Sequence, residues 1–191
     1  MRKGSSFVCA LAMGLAAVTL PRTASAQAFG NQGDLAFSAE RLMGIDFYDE
    51  EFSATVIGLG ISRFAVSPYH LARLGVDYFV IDNLSVGGSI GFGLVDPEGA
   101  RNTTSGAMIA PRVGYALEFS KVFGFWPRGG FTYRNFGSDE EFAFTLEAMF
   151  YAAPVEHFAI TFGPLMDLGI AGTGQEAKSF SLISAGLVGW I

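Results

Sequence analysis

After its first twenty-six residues this chain contains no run of the roughly 18 apolar residues that a membrane-spanning helix requires, yet half of its residues are hydrophobic and they recur at every second position. The stretch Phe79 to Leu94, FVIDNLSVGGSIGFGL, shows the rule. After Asp82-Asn83, one parity carries Leu84, Val86, Ile90, Phe92 and Leu94, and the other carries Ser85, Gly87, Ser89, Gly91 and Gly93. A period of two predicts a β-strand with unlike faces, and Asp-Asn supplies the left-handed backbone that a tight hairpin needs. The same alternation predicts strands at Leu74 to Ile81, Ala107 to Phe119, Phe123 to Asn135, Phe142 to Ala152, Phe158 to Ile170 and Phe180 to Ile191. The last of these is apolar on both parities, so its facing stays open.

The first residues read differently. Met1-Arg2-Lys3, an apolar stretch from Phe7 to Leu20 and Ala24-Ser25-Ala26 have the basic, apolar and small-residue order of a secretory signal peptide, with cleavage expected after Ala26. The one cysteine, Cys9, lies within that signal, so the exported chain is read as having no disulfide, no thiolate nucleophile and no cysteine metal ligand. Loss of Arg2, Lys3 and Arg22 leaves nine basic residues against eighteen acidic ones, a net charge of −9. An acidic exported chain does not suit nucleic-acid partners.

Short turns at Asp82-Asn83, Ser120 to Val122 and Ala153 to Glu156 interleave with longer polar segments at Val95 to Ser105, Gly137 to Glu141 and Ala171 to Ser179. Hydrocarbon leaves no backbone amide a partner outside the sheet, so a spanning sheet must close on itself, with its apolar face outward. The expected fold is all-β, an antiparallel up-and-down transmembrane barrel. Nine strand-like segments are found when Gly33 to Tyr48 and Phe52 to Phe64 are counted, and both ends in the periplasm require an even number. Eight strands from about Phe52 is the favoured solution, and ten is the other. The organisation read is a signal at 1–26, a segment at 27–51 that is a first strand or an extension, and a barrel over 52–191. A soluble lipocalin-like barrel would reverse the facing, which the Phe, Leu and Val of the outer parity oppose.

On the signal, the hairpin DYFVIDNLSVGGSIGFG, Pro111-Arg112-Val113-Gly114-Tyr115, Trp126-Pro127-Arg128-Gly129-Gly130 and the final strand, the chain resembles small Gram-negative outer-membrane β-barrels, the group with OmpA-like transmembrane domains and OmpW-like barrels. The likeness covers most of residues 34 to 191. It implies an outer-membrane location, contact with lipid and lipopolysaccharide, and insertion by the barrel-assembly machinery. Such proteins end in a recognition strand of the form polar-x-Gly-x-x-aromatic-x-aromatic. Ser184 and Gly186 match it, while Gly189 stands at the inner aromatic position, Trp190 follows it and Ile191 replaces the terminal aromatic.

The inward parity is charged: Arg73, Arg112, Arg128 and Arg134 against Asp77, Glu118, Glu147 and Asp167. An arginine facing lipid near the midplane costs about 2–4 kcal/mol, so these residues are expected to point inward and pair. Counting from the short turns puts Asp77, Glu118, Arg128 and Glu147 lower and the other four higher. The resulting lumen is either a static salt-bridge plug or a narrow conduit for small or apolar solutes. Aromatics near strand ends, Tyr78, Phe79, Phe123, Trp126, Phe158 and Trp190, are candidates for an interfacial girdle.

Catalysis finds little support. His157 lies at a short turn without a nearby serine, and His70, in Ser67-Pro68-Tyr69-His70, is read as a rim residue with no nucleophile beside it. Gly172 to Ser179 has the outline of a phosphate loop, but Ala177 replaces its glycine and no helix follows. The acidic residues Asp96, Glu98, Asp139, Glu140 and Glu141 are read as solvated loop residues. No cofactor or metal site is expected, and the function read is a structural or envelope-interaction role without catalysis.

Overall fold

Alternation of large apolar and small or polar residues becomes alternation of burial once the strands are in place. In a computed structural model, residues 29–49, 54–59, 68–95, 104–137, 139–173 and 178–191 are described. The expected signal and part of each longer connection lie outside these residues. Among the described residues ten strands form one antiparallel sheet: β1 (Leu35–Asp49), β2 (Ala54–Leu59), β3 (Arg73–Ile81), β4 (Leu84–Val95), β5 (Thr104–Tyr115), β6 (Leu117–Ser120), β7 (Phe123–Phe136), β8 (Asp139–Val155), β9 (Phe158–Gly172) and β10 (Lys178–Trp190). The pairing runs β10-β9-β8-β7-β5-β4-β3-β1, with β2 added on β1 and β6 on β7, and β10 pairs with β1 from Ala36↔Trp190 to Asp49↔Lys178, closing the barrel.

Ten strands make eight staves. The lower half of β1, Leu35 to Glu40, pairs with β3, and its upper half, Met43 to Tyr48, pairs with β2. β2 and β3 therefore occupy one stave in succession. β5 and β6 likewise share a stave against β7, broken at Ala116, whose N–H donates to the Asn83 carbonyl at 2.7 Å. The favoured count of eight holds, but the assignment beneath it changes. The segment from Gly33 to Tyr48 is a wall of the barrel, and the two segments read between Phe52 and Ile81 merge into the next wall.

Two irregularities explain where simple parity failed. A register shift in β1 between Ala39 and Met43 accompanies Arg41 at φ 55°, a conformation that costs a non-glycine residue about 1–3 kcal/mol. It turns the consecutive side chains of Glu40 and Arg41 both inward. A second shift in β10, between Ser181 and Ser184, leaves Leu182 and Ile183 both outward. The double parity of the last strand is therefore a β-bulge.

The outer face is inverted relative to a water-soluble protein. Leu74, Val76, Ile90, Phe92, Ile109 and Val113 are exposed, with Leu74 at 67% and Phe92 at 71%. Every charged side chain among the described residues is either buried or sits at a turn or strand end. This is an apolar band of the kind a transmembrane barrel presents to lipid. The tight turns at Asp82-Asn83, with Asn83 at φ 69°, and Glu156-His157, with His157 at φ 60°, mark one end together with both chain termini of the barrel. At the other end β7 and β8 are joined more tightly than expected: β7 ends at Phe136 and β8 begins at Asp139, so Asp139 to Glu141 are strand.

Candidate functional site

Among the described residues the polar chemistry gathers in the interior, which is built in layers. At the turn end, Phe29 sits inside the mouth of the barrel, with the rings of Phe79, Trp126, Tyr151 and Trp190 at 5.2, 5.0, 4.9 and 5.0 Å between centroids. A short backbone knot holds it. Asn83 N donates to Gly30 O at 2.7 Å, Gly33 N to Phe79 O at 2.9 Å, and Asn31 N to the Asp34 carboxylate at 2.9 Å. Phe79, Trp126 and Trp190 are thus floor residues with exposures of 0, 0 and 2%, not members of an outer girdle; Tyr78, Tyr115 and Phe119 are exposed on the outer face. The indole N–H of Trp126 donates to Ser85 Oγ at 3.2 Å. Gly114 makes this possible, because a Cβ there would lie 2.6 Å from that nitrogen.

Above the floor lies the charge layer. Arg112 forks between two carboxylates: Nε donates to Asp77 Oδ1 at 3.0 Å, Nη1 to Glu40 Oε2 at 2.7 Å and Nη2 to Glu40 Oε1 at 2.6 Å. Arg128 donates to Glu40 at 2.6 Å, pairs with Glu147 at 2.8 Å, and stacks its guanidinium 4.6 Å above the Trp126 ring, tying the layer to the floor. Arg41 donates to Asp167 at 2.7 Å and reaches Glu147 at 3.4 Å. Thr145 donates to Asp167 and shares a hydrogen bond with Thr132, which accepts from Arg73 at 3.2 Å. Arg41, Arg73, Arg112 and Arg128 face Glu40, Asp77, Glu147 and Asp167, so four charges of each sign cancel in a layer crossed by β1, β3, β5, β7, β8 and β9. Charge-assisted and forked bonds of this sort are the strong ones, and Gly75 leaves room for them: a Cβ there would lie 2.4 Å from Ser38 Oγ and 2.8 Å from Arg112.

Of the eight residues picked from parity, Arg73, Asp77, Arg112, Arg128, Glu147 and Asp167 meet here. Arg134 is buried one storey higher and pairs with Glu141, which is buried and not a solvated loop residue. Glu118 does not join. It lies exposed on β6, beside the turn. The expected division into a lower and an upper set also dissolves, since Arg112 bonds Asp77 directly. Parity alone does not find Glu40 and Arg41, because their shared inward facing depends on the bulge. Accordingly, Glu118→Gln is expected to leave the urea midpoint of the folded barrel unchanged, whereas Glu40→Gln lowers it; equal effects would show that Glu40 does not hold the layer together.

His70 is fully buried, not at a rim. Its Nε2 lies 2.6 Å from Ser179 Oγ, and Nδ1 lies 3.6 Å from Asp46, which also accepts a hydrogen bond from Ser181. Serine, histidine and carboxylate are the residue types of an acyl-transfer triad. All three are buried, and none of the cavities lined wholly by described residues includes Ser179. The cluster ties the Pro68–His70 turn to β1 and β10 across the closing seam.

At the level of the charge layer the lumen is filled by described side chains. The cavity bounded by Arg73, Ser89, Arg112, Arg128, Thr145 and Glu147 measures about 10 Å³, room for a single water at most. Leu71, Met108 and Phe136 form a further apolar cluster. Of the final-strand residues, Ser184, Gly186 and Trp190 face inward, while Ile191 is exposed and exchanges backbone hydrogen bonds with Leu35 at 3.0 and 3.1 Å.

No protein-family model matches the chain, and no curated protein matches it in sequence. Solved structures do share its fold. The Neisserial surface protein A (NspA) superposes with a TM-score of 0.58 at 12% identity, covering 83% of this chain and 99% of that one. The N-terminal β-barrel domain of Pseudomonas aeruginosa OprF gives 0.53 at 11%, covering 84% and 98%. Ail, the attachment invasion locus protein of Yersinia pestis, gives 0.50 at 11%, covering 83% and 98%, and its structure is also known with the heparin analogue sucrose octasulfate. The architecture is that of eight-stranded outer-membrane barrels.

Proposed function

We propose that this chain is a closed outer-membrane barrel without catalytic activity, serving the envelope as a structural or interaction element through its loop-bearing end. The observation that carries this reading is the filled lumen: an aromatic floor below a neutral ion-pair layer that leaves space for about one water. Surrounding lipid and lipopolysaccharide are its partners at the outer band, and Ser184, Gly186, Trp190 and Ile191 form the strand offered to the assembly machinery. In sequence, the connections at the loop-bearing end and the strand ends beside them carry Asp49, Glu50, Glu51, Asp96, Glu98, Asp139, Glu140 and Glu176 against Arg63, Arg101 and Lys178. That acidic balance does not favour a polyanion of the kind bound by Ail.

The test is planar-bilayer conductance of the mature chain, first shown to be folded by a heat-dependent gel shift. Silence is expected. A steady current would favour the second reading, a narrow conduit for small solutes. That reading has one observation in its favour: Arg73, alone of the four arginines in the layer, has no carboxylate partner among the described residues and borders the small cavity.

A further inference from the structure

The outer wall is not uniform. On three adjacent strands the outward row passes from large to small and back to large: Phe125, Pro127, Gly129, Phe131 on β7; Leu146, Ala148, Phe150 on β8; Phe162, Pro164, Met166 on β9. The register aligns the small residues, with Pro127 opposite Ala148 and Phe125 opposite Phe150, which in turn faces Phe162. The result is a trough of about 510 Å³ floored by Pro127, Gly129, Ala148 and Pro164. Leu146, Met166 and Phe180 line its sides, and aromatic clusters lie beyond it in both directions along the strands. Phe125 and Phe162 lie 4.9 and 6.0 Å from Phe150 on the turn side, and Phe142 and Phe144 lie 5.4 and 5.6 Å from Phe131 on the other.

Prolines are poor residues for a strand with neighbours on both sides, because they donate nothing to the ladder. Here the β8–β9 ladder has no paired residues between Glu147↔Leu165 and Phe150↔Phe162, where Pro164 and Gly163 lie. Gly163 is needed at this point, since a Cβ would lie 2.1 Å from the Ala148 carbonyl. The floor is thus made of residues that weaken the sheet locally while removing bulk from its outer face. Arg128 and Glu147 border the trough, but both commit their side chains to the inner ion pairs, leaving it without a free charge.

We propose that this trough binds one acyl chain of a bilayer phospholipid. It is continuous with the outer apolar band and sits within it, so the neighbouring molecule there is hydrocarbon, and a trough lined by proline, glycine, alanine, leucine, methionine and one phenylalanine, with no free charge, complements a saturated chain rather than a polar ligand. The proposal rests on the lipid-facing reading of the outer face and not on the sealed lumen. The mature chain, refolded into vesicles of phospholipid bearing a diazirine in the acyl chain, is irradiated and the adducts are mapped by mass spectrometry. Adducts on Pro127, Ala148, Pro164 and Met166 are expected to exceed those on Leu74, Val76 and Ile90 several-fold. Ala148→Phe, or the milder Ala148→Leu, fills the trough and brings that excess down while the heat-dependent gel shift persists. Uniform labelling around the band, an excess that Ala148→Leu leaves intact, or protein–protein adducts at the trough from a second copy would each overturn the proposal. Absence of both the gel shift and any band labelling would instead remove the membrane reading itself.

Discussion

Arg112→Ala is expected to lower the unfolding free energy of the refolded barrel by about 3–5 kcal/mol, the cost of leaving a buried charge without its partner. Arg112 supplies bonds to both Asp77 and Glu40, whose exposures are 0 and 4%. Without it Asp77 keeps no cationic partner among the described ion pairs, and Glu40 keeps Arg128 and the Ser38 hydroxyl. The two tryptophans, Trp126 and Trp190, are both inside the floor, so their fluorescence reports unfolding in a urea titration without added probes. The midpoint is expected to fall with the slope unchanged. Adding Asp77→Asn should return part of the loss, because the second change removes the charge that the first stranded. A loss under about 1 kcal/mol would mean that the layer is hydrated enough to screen its charges, which contradicts a filled lumen.

Phe29→Ala is expected to cost about 3–5 kcal/mol, as for other buried phenylalanines. Its ring fills the centre of the floor, touching residues from β3, β7, β8 and β10, so its loss opens a cavity that four separate walls would have to collapse to fill. The same variant locates the seal. If the charge layer closes the lumen, folded Phe29→Ala stays silent in planar bilayers despite its lower stability. Current from this variant, absent in the unsubstituted chain, would place the barrier in the aromatic floor.

The strands were legible because a period of two survives any tertiary arrangement: side chains of one parity must share a face. Asp77, Arg112, Arg128, Glu147 and Asp167 were found by that rule together with the cost of charge in lipid. Glu118 obeyed the parity but lies beyond the layer, beside the turn, where an exposed charge is solvated. Glu141 was read as loop because Asp139-Glu140-Glu141 is an acidic run, but β8 extends through it and Arg134 is opposite it in the register. His70 gave no hint of Ser179, which is 109 residues away and adjacent only because β10 closes on β1.

The sequence by itself determined that this chain forms a sheet with an apolar outer face and a polar inner one, since alternation is a local property and hydrocarbon demands closure. Which segments share a stave, where the bulges at Arg41 and Leu182-Ile183 shift the parity, and which charges touch were decided only by the closed barrel. Each of those depends on shear and register between strands distant in sequence, and a one-residue shift in register turns every later side chain to the opposite face.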